Sequence, residues 1–177
     1  MMIGNFIADS VKGSQMNSFS ARVQQGIRLH RLIDTYTDNH PITLLSKERL
    51  RERYGKYAPV IADIFYDHFL AAHWTEYSKL GLRTYAEQTY KFLEGHYDMF
   101  PLRTQQFFNY MVKYDILVSY GKIEGIEKVM QGMSRRARFE SGMETAAEEL
   151  LKNYEDYKLE FKTFFPELCE HVLISKI

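Results

Sequence analysis

The chain has 177 residues, enough for one compact domain with its own core, and it balances 23 Lys and Arg against 23 Asp and Glu. Zero net charge excludes the global basic field of a general nucleic-acid binder, so any charged partner must be met locally. The single cysteine, Cys169, excludes an internal disulfide and a thiolate zinc cage and fits a reducing compartment, with the cytoplasm expected. No apolar run approaches the roughly 20 residues that span a bilayer, and MMIGNFIADSVKG carries an Asp where a signal peptide would be apolar. A soluble, unexported chain is expected.

Apolar residues recur at three- and four-residue intervals and show no strand alternation, which predicts an all-α, single-domain helical bundle spanning residues 1–177. Helices are expected near 3–13, 19–37, 42–53, 58–74, 82–96, 102–119, 122–132 and 140–164, with a short one after Pro166. The prolines, Pro41, Pro59, Pro101 and Pro166, are expected where helices start or stop.

In the first helix, GNFIADSVKG places Asp9 in mainly apolar surroundings, where it completes a metal shell or caps a neighbour. The second helix reads GIRLHRLIDTYTD, with His30, Asp34 and Asp38 at successive four-residue steps. Such steps lie on one helix face, so an imidazole and two carboxylates project together. The fourth helix repeats the theme in YAPVIADIFYDHFLAAHW, with Asp63 and Asp67 four apart, His68 beside them and His73 further on.

If the two acidic stripes face each other, they supply mixed nitrogen and oxygen ligands suited to manganese, iron or magnesium. The alternative pairs these carboxylates with Arg28, Arg31, Tyr36 and Tyr66 in a buried polar network. Aromatic Phe65, Tyr66 and Trp74 lie in or near the same helix, as core or as contacts for a substrate chain.

Further on, GMSRRARF sets Arg135, Arg136 and Arg138 between two helices, where they receive a phosphate or an acidic protein surface, or are simply solvated. The charged run from Glu140 to Lys162 predicts a solvated face without chemistry. There is no G-x-S-x-G elbow, glycine-rich phosphate cradle or H-E-x-x-H, and the glutamates beside Cys169 disfavour a thiolate. Metal-activated water is the chemistry left.

Taken in order, GNFIADSVKG, GIRLHRLIDTYTDNHP, APVIADIFYDHFLAAHW and QGMSRRAR resemble the acyl carrier protein phosphodiesterases, a family that looks like a divergent branch of the HD phosphohydrolases. The resemblance implies an HD-like all-helical fold, dependence on Mn²⁺ with Mg²⁺ or Fe²⁺ as alternatives, and holo acyl carrier protein as substrate. The reaction implied is hydrolysis of the phosphodiester between 4′-phosphopantetheine and a carrier serine. It also implies metal ligands among Asp9, His30, Asp34, Asp38, Asp63 and Asp67, with Asp34, His30 and His68 as catalytic residues.

On the same resemblance Arg135, Arg136 and Arg138, with Lys12, would steer the carrier or neutralise the phosphodiester. Relatives are expected to carry an NFLAH-x-x-LA segment ahead of the GN motif, which this sequence does not show. Two other functions stay open: a non-catalytic helical module for an acidic partner, and a phosphohydrolase acting on another phosphoester.

Overall fold

The helix Ala58–Ala72 is the element about which the chain is arranged, because its sequence is apolar on nearly every side and must be surrounded. In this computed structural model, which describes residues 1–175, it is the fourth of ten helices: α1 (Met2–Ile7), α2 (Ala21–Asn39), α3 (Pro41–Tyr54), α4 (Ala58–Ala72), α5 (Leu82–Glu94), α6 (Leu102–Lys113), α7 (Ile116–Ser119), α8 (Ile123–Arg136), α9 (Ala146–Lys152) and α10 (Tyr154–Ile174). No strand occurs among the described residues, so the chain is a single all-α domain. None of these helices is long and apolar enough to cross a membrane.

Helix α4 packs against α3, α8 and α10. Ile61, Phe65 and Phe69 are fully enclosed there with Tyr157 and Phe161 of α10 and Ile126 and Met130 of α8. Each such side chain contributes about 1.5–3 kcal/mol relative to exposure. A second, smaller core gathers Ile7, Val23, Ile27, Leu93, Phe100 and Phe108. It fixes α1 on α2.

The crossing of α1 over α2 is a backbone contact. A Cβ on Gly4 would collide with the Val23 carbonyl, and one on Gly26 with the Met1 carbonyl. Only glycine at both positions lets the helices approach this closely.

Several expected helices differ in extent. The first stops at Ile7 and gives way to 3-10 turns at Ala8–Ser10 and Gly13–Ser18, the second entered through Gly13 at φ +49°. The helix expected over 102–119 breaks at Asp115, which adopts a left-handed conformation (φ 48°) that Asp tolerates better than most residues. The one expected over 140–164 divides into a 3-10 turn at Met143–Thr145, α9 and α10, with Asn153 at the break donating its side-chain amide to Glu149 Oε1 at 2.6 Å.

Pro41 and Pro59 open α3 and α4, and Pro101 precedes α6, as expected of prolines. Pro166 does not stop a helix: it lies inside α10, on an exposed face, and the helix runs on to Ile174. Nor is the charged run wholly solvated. Glu160 turns inward, accepting from Arg49 Nη2 at 2.6 Å and from the Ser46 hydroxyl at 2.5 Å, and so ties α10 to α3.

Burial pushes the phenols of Tyr66 and Tyr90 up to about 12, and those of Tyr120 and Tyr157 are raised by the same cause. Phenols held neutral in the folded state contribute stability that is complete below the unfolded value near 10 and is lost as pH rises through the folded value. Urea unfolding followed by circular dichroism should therefore give a markedly lower midpoint at about pH 11 than at about pH 8. Equal midpoints would contradict the burial of these rings.

Candidate functional site

Helices α2, α4 and α10 and the turn Ala8–Ser10 line an open cavity of about 580 Å³. Asp9, His30, Asp34, Asp38, Asp63 and Asp67 all line it, so the two acidic stripes of the sequence meet in one place. The four-residue steps on α2 and α4 aim these side chains, and the glycine crossing of α1 over α2 carries Asp9 to His30.

His30 Nε2 lies 3.2 Å from Asp9 Oδ1 and 3.1 Å from Asp34 Oδ2. One donor atom from each of the three residues falls within 4.8 Å of the others, the compactness a single ion requires. Lys47, buried on α3, places Nζ 2.7 Å from Asp38 Oδ1.

Asp63 and Asp67 line the cavity and keep exposed surface there, while neighbouring atoms crowd both carboxyls. Desolvation pushes Asp63 up to about 6, Lys47 opposing it while Asp38 and Asp34 add to the rise. Asp67 is pushed up to about 7, first by desolvation and then by Asp63. Asp34 is raised by desolvation too, with His30 opposing and Asp9 and Asp38 reinforcing.

Five carboxylates thus face one ammonium, that of Lys47, among the residues named. One imidazole and several carboxylate oxygens form a donor set that fits Mn²⁺, Mg²⁺ or Fe²⁺ and lacks the sulfur that softer metals prefer.

The alternative buried network does not form. Arg28 Nη2 donates to Gln24 Oε1 at 3.2 Å, and Arg31 Nη2 to the Val11 carbonyl at 3.0 Å. Tyr36 stacks on His171 with centroids 4.2 Å apart, and Tyr66 pairs with Ser46. Tyr66 does line the cavity.

Other expected residues fall elsewhere. His68, one residue past Asp67, turns about 100° away around the helix and is buried. Its Nδ1 lies 2.8 Å from the Tyr120 carbonyl and its Nε2 3.1 Å from the Tyr154 hydroxyl, and burial lowers its pKa. With both nitrogens engaged outside the cavity, it is a packing residue here rather than one presented to a substrate. His73 pairs with Glu76 at 3.3 Å, Phe65 is core, and the Trp74 indole donates to the Leu80 carbonyl.

The basic residues do not reach the acidic cavity either. Arg135 and Arg136, in the last turn of α8, line a separate cavity that shares no residue with the first. Arg138 lies over the Phe139 ring, and Arg138 and Lys12 line neither cavity.

Sequence reasoning missed two parts of the site. Lys47 was hidden because lysine reads as solvated, although Thr43, Ser46, Lys47 and Leu50 share a buried face of α3. The wall opposite the acids consists of Phe161, Phe164, Phe165 and Leu168 of α10. Their spacing of three and four residues was the available signal.

The family model for acyl carrier protein phosphodiesterase matches residues 1–168. A protein of that name from Photorhabdus laumondii is 29% identical over 170 residues, covering 96% of this chain and 86% of the relative. One of the same name from Escherichia coli O6:H1 is 33% identical over 173 residues, covering 94% and 87%. No solved structure matches the chain at a significant level. The chain belongs to the acyl carrier protein phosphodiesterase family.

The glycine crossing that brings Asp9 to His30 is testable through stability. Gly26→Ala sets a methyl against the backbone of α1 and should cost about 1–3 kcal/mol in denaturant unfolding. Gly81→Ala, at an open position with ordinary backbone geometry, should stay within about 0.5 kcal/mol of the parent.

Proposed function

We propose that this chain hydrolyses the phosphodiester joining 4′-phosphopantetheine to a serine of holo acyl carrier protein, releasing the apo carrier and free 4′-phosphopantetheine. The observation that carries this reading is the family match over residues 1–168. The gathering of Asp9, His30 and Asp34 in one cavity supports it.

Asp9, His30 and Asp34 would hold a divalent cation, Mn²⁺ by this reading with Mg²⁺ or Fe²⁺ as substitutes, and Asp38, Asp63 and Asp67 surround them in the same cavity. The chemistry such an ion would supply there is a water of lowered pKa and withdrawal of charge from phosphoryl oxygens. His30 Nε2 stands 3.2 and 3.1 Å from the two carboxylates, close enough that its lone pair and theirs would converge on one ion.

Asp34 takes the central part, being in electrostatic reach of Asp9, His30, Asp38 and Asp63. Lys47 holds Asp38 and moderates the charge of Asp63. The α10 wall of Phe161, Phe164, Phe165 and Leu168 offers an apolar surface to the pantetheine arm.

An HD-phosphohydrolase-like arrangement belongs to the same proposal and rests on the His and Asp residues of α2 and α4 meeting in one cavity. So does a cytoplasmic setting, which rests on the lone cysteine and on the cytosolic nature of the proposed substrate.

Intact-mass analysis of holo carrier incubated with the chain and Mn²⁺ should show loss of the phosphopantetheine mass, abolished by EDTA. Asp34→Asn should slow this by at least about 100-fold while leaving the helical spectrum unchanged. Equal rates for Asp34→Asn and the parent would overturn the role given to Asp34. Hydrolysis of other phosphoesters with an intact carrier would overturn the substrate.

A further inference from the structure

The cavity that receives Arg135 and Arg136 is separate from the acidic one and opposite to it in charge. It measures about 490 Å³, is open to solvent and is lined by α6, α7 and α8 with Lys122 just ahead of α8. This lies within the range of small-ligand pockets, roughly 300–1,000 Å³. Lys122, Lys128, Arg135 and Arg136 line it against a single carboxylate, Glu124. None of the four cations forms a salt bridge among the described residues. In a chain of zero net charge this is a concentrated positive field inside a concave surface.

The fold builds this cavity from two ingredients. Positions 128, 131, 132, 135 and 136 recur at helical spacing, so one face of α8 carries the cations. Gly125 brings α7 down onto that helix, since a Cβ there would collide with the Ser119 carbonyl. The facing wall is aromatic. Tyr110 and Tyr114 pair with centroids 4.6 Å apart, and the Arg136 guanidinium lies 5.3 Å from the Tyr110 ring centroid.

We propose that this cavity binds a small phosphate monoester carrying a flat or apolar group, independently of the acidic site. Arginine forks and lysines receive the phosphate by charge-assisted hydrogen bonds. The exposed Tyr114 ring gives the attached group a stacking surface. Concavity favours a small molecule over a protein surface, which would meet the cations on a flatter patch.

Calorimetric titration with phenyl phosphate and with inorganic phosphate, in EDTA so that hydrolysis does not intervene, tests this without relying on activity. Phenyl phosphate should bind saturably and more tightly than inorganic phosphate. Lys128→Gln combined with Arg136→Gln should weaken both by about tenfold or more, the loss expected for charged hydrogen bonds. Tyr114→Ala should weaken phenyl phosphate only, and Asp34→Asn should leave both unchanged.

No saturable binding of either probe would mean solvated charge only and overturn the proposal. So would binding that survives the double variant or disappears in Asp34→Asn. Binding of polyglutamate alone, with neither phosphate probe bound, would overturn it in favour of a docking surface for an acidic protein.

Discussion

Like charge gathered in one cavity is the constraint that the packing of this structure must hold against. Five carboxylates, Asp9, Asp34, Asp38, Asp63 and Asp67, share one cavity with His30. They come from three separate pieces of chain, and each piece is fixed by an interaction outside the cavity. The glycine contact of α1 with α2 sets Asp9, the helical steps of α2 set Asp34 and Asp38, and the buried apolar faces of α4 set Asp63 and Asp67. Crowding by neighbouring atoms and by one another's charge displaces Asp34, Asp63 and Asp67 upward. Lys47 offsets part of it.

The cavity is also two-faced, and the second face depends on α10. Arg49 and Ser46 of α3 grip Glu160, while Arg49 lies 4.7 Å from the Tyr157 ring centroid. This anchor fixes the rotation of α10, so that Phe161, Phe164, Phe165 and Leu168 stand across from the acids. An ionic wall facing an apolar one suits a molecule charged at one end and apolar along its length.

The helical nature of the chain and the acidic cavity were legible because both follow from short-range periodicity. A His and Asp residues four apart must share a helix face, and the apolar spacing that makes α2 and α4 helices also orients those residues. The catalytic role that the resemblance implies for His68 gains no support from its position, because one residue along the helix from Asp67 its ring turns into the core, where both nitrogens have partners. The placement of Arg135 and Arg136 depends on how α8 packs against α6 and α7, which no local pattern encodes. The α10 wall was obscured by expecting a helix to end before Pro166, yet an exposed proline is accommodated within α10.

Whether the proposed divalent cation sits in the acidic cavity is open to direct observation. Crystals of the chain soaked in Mn²⁺, with diffraction recorded where manganese scatters anomalously, test it most directly. The expected result is an anomalous peak whose nearest donors are Asp9, His30 and Asp34. A map with no peak in that cavity at saturating Mn²⁺, or with the ion bound at another cluster, would contradict it.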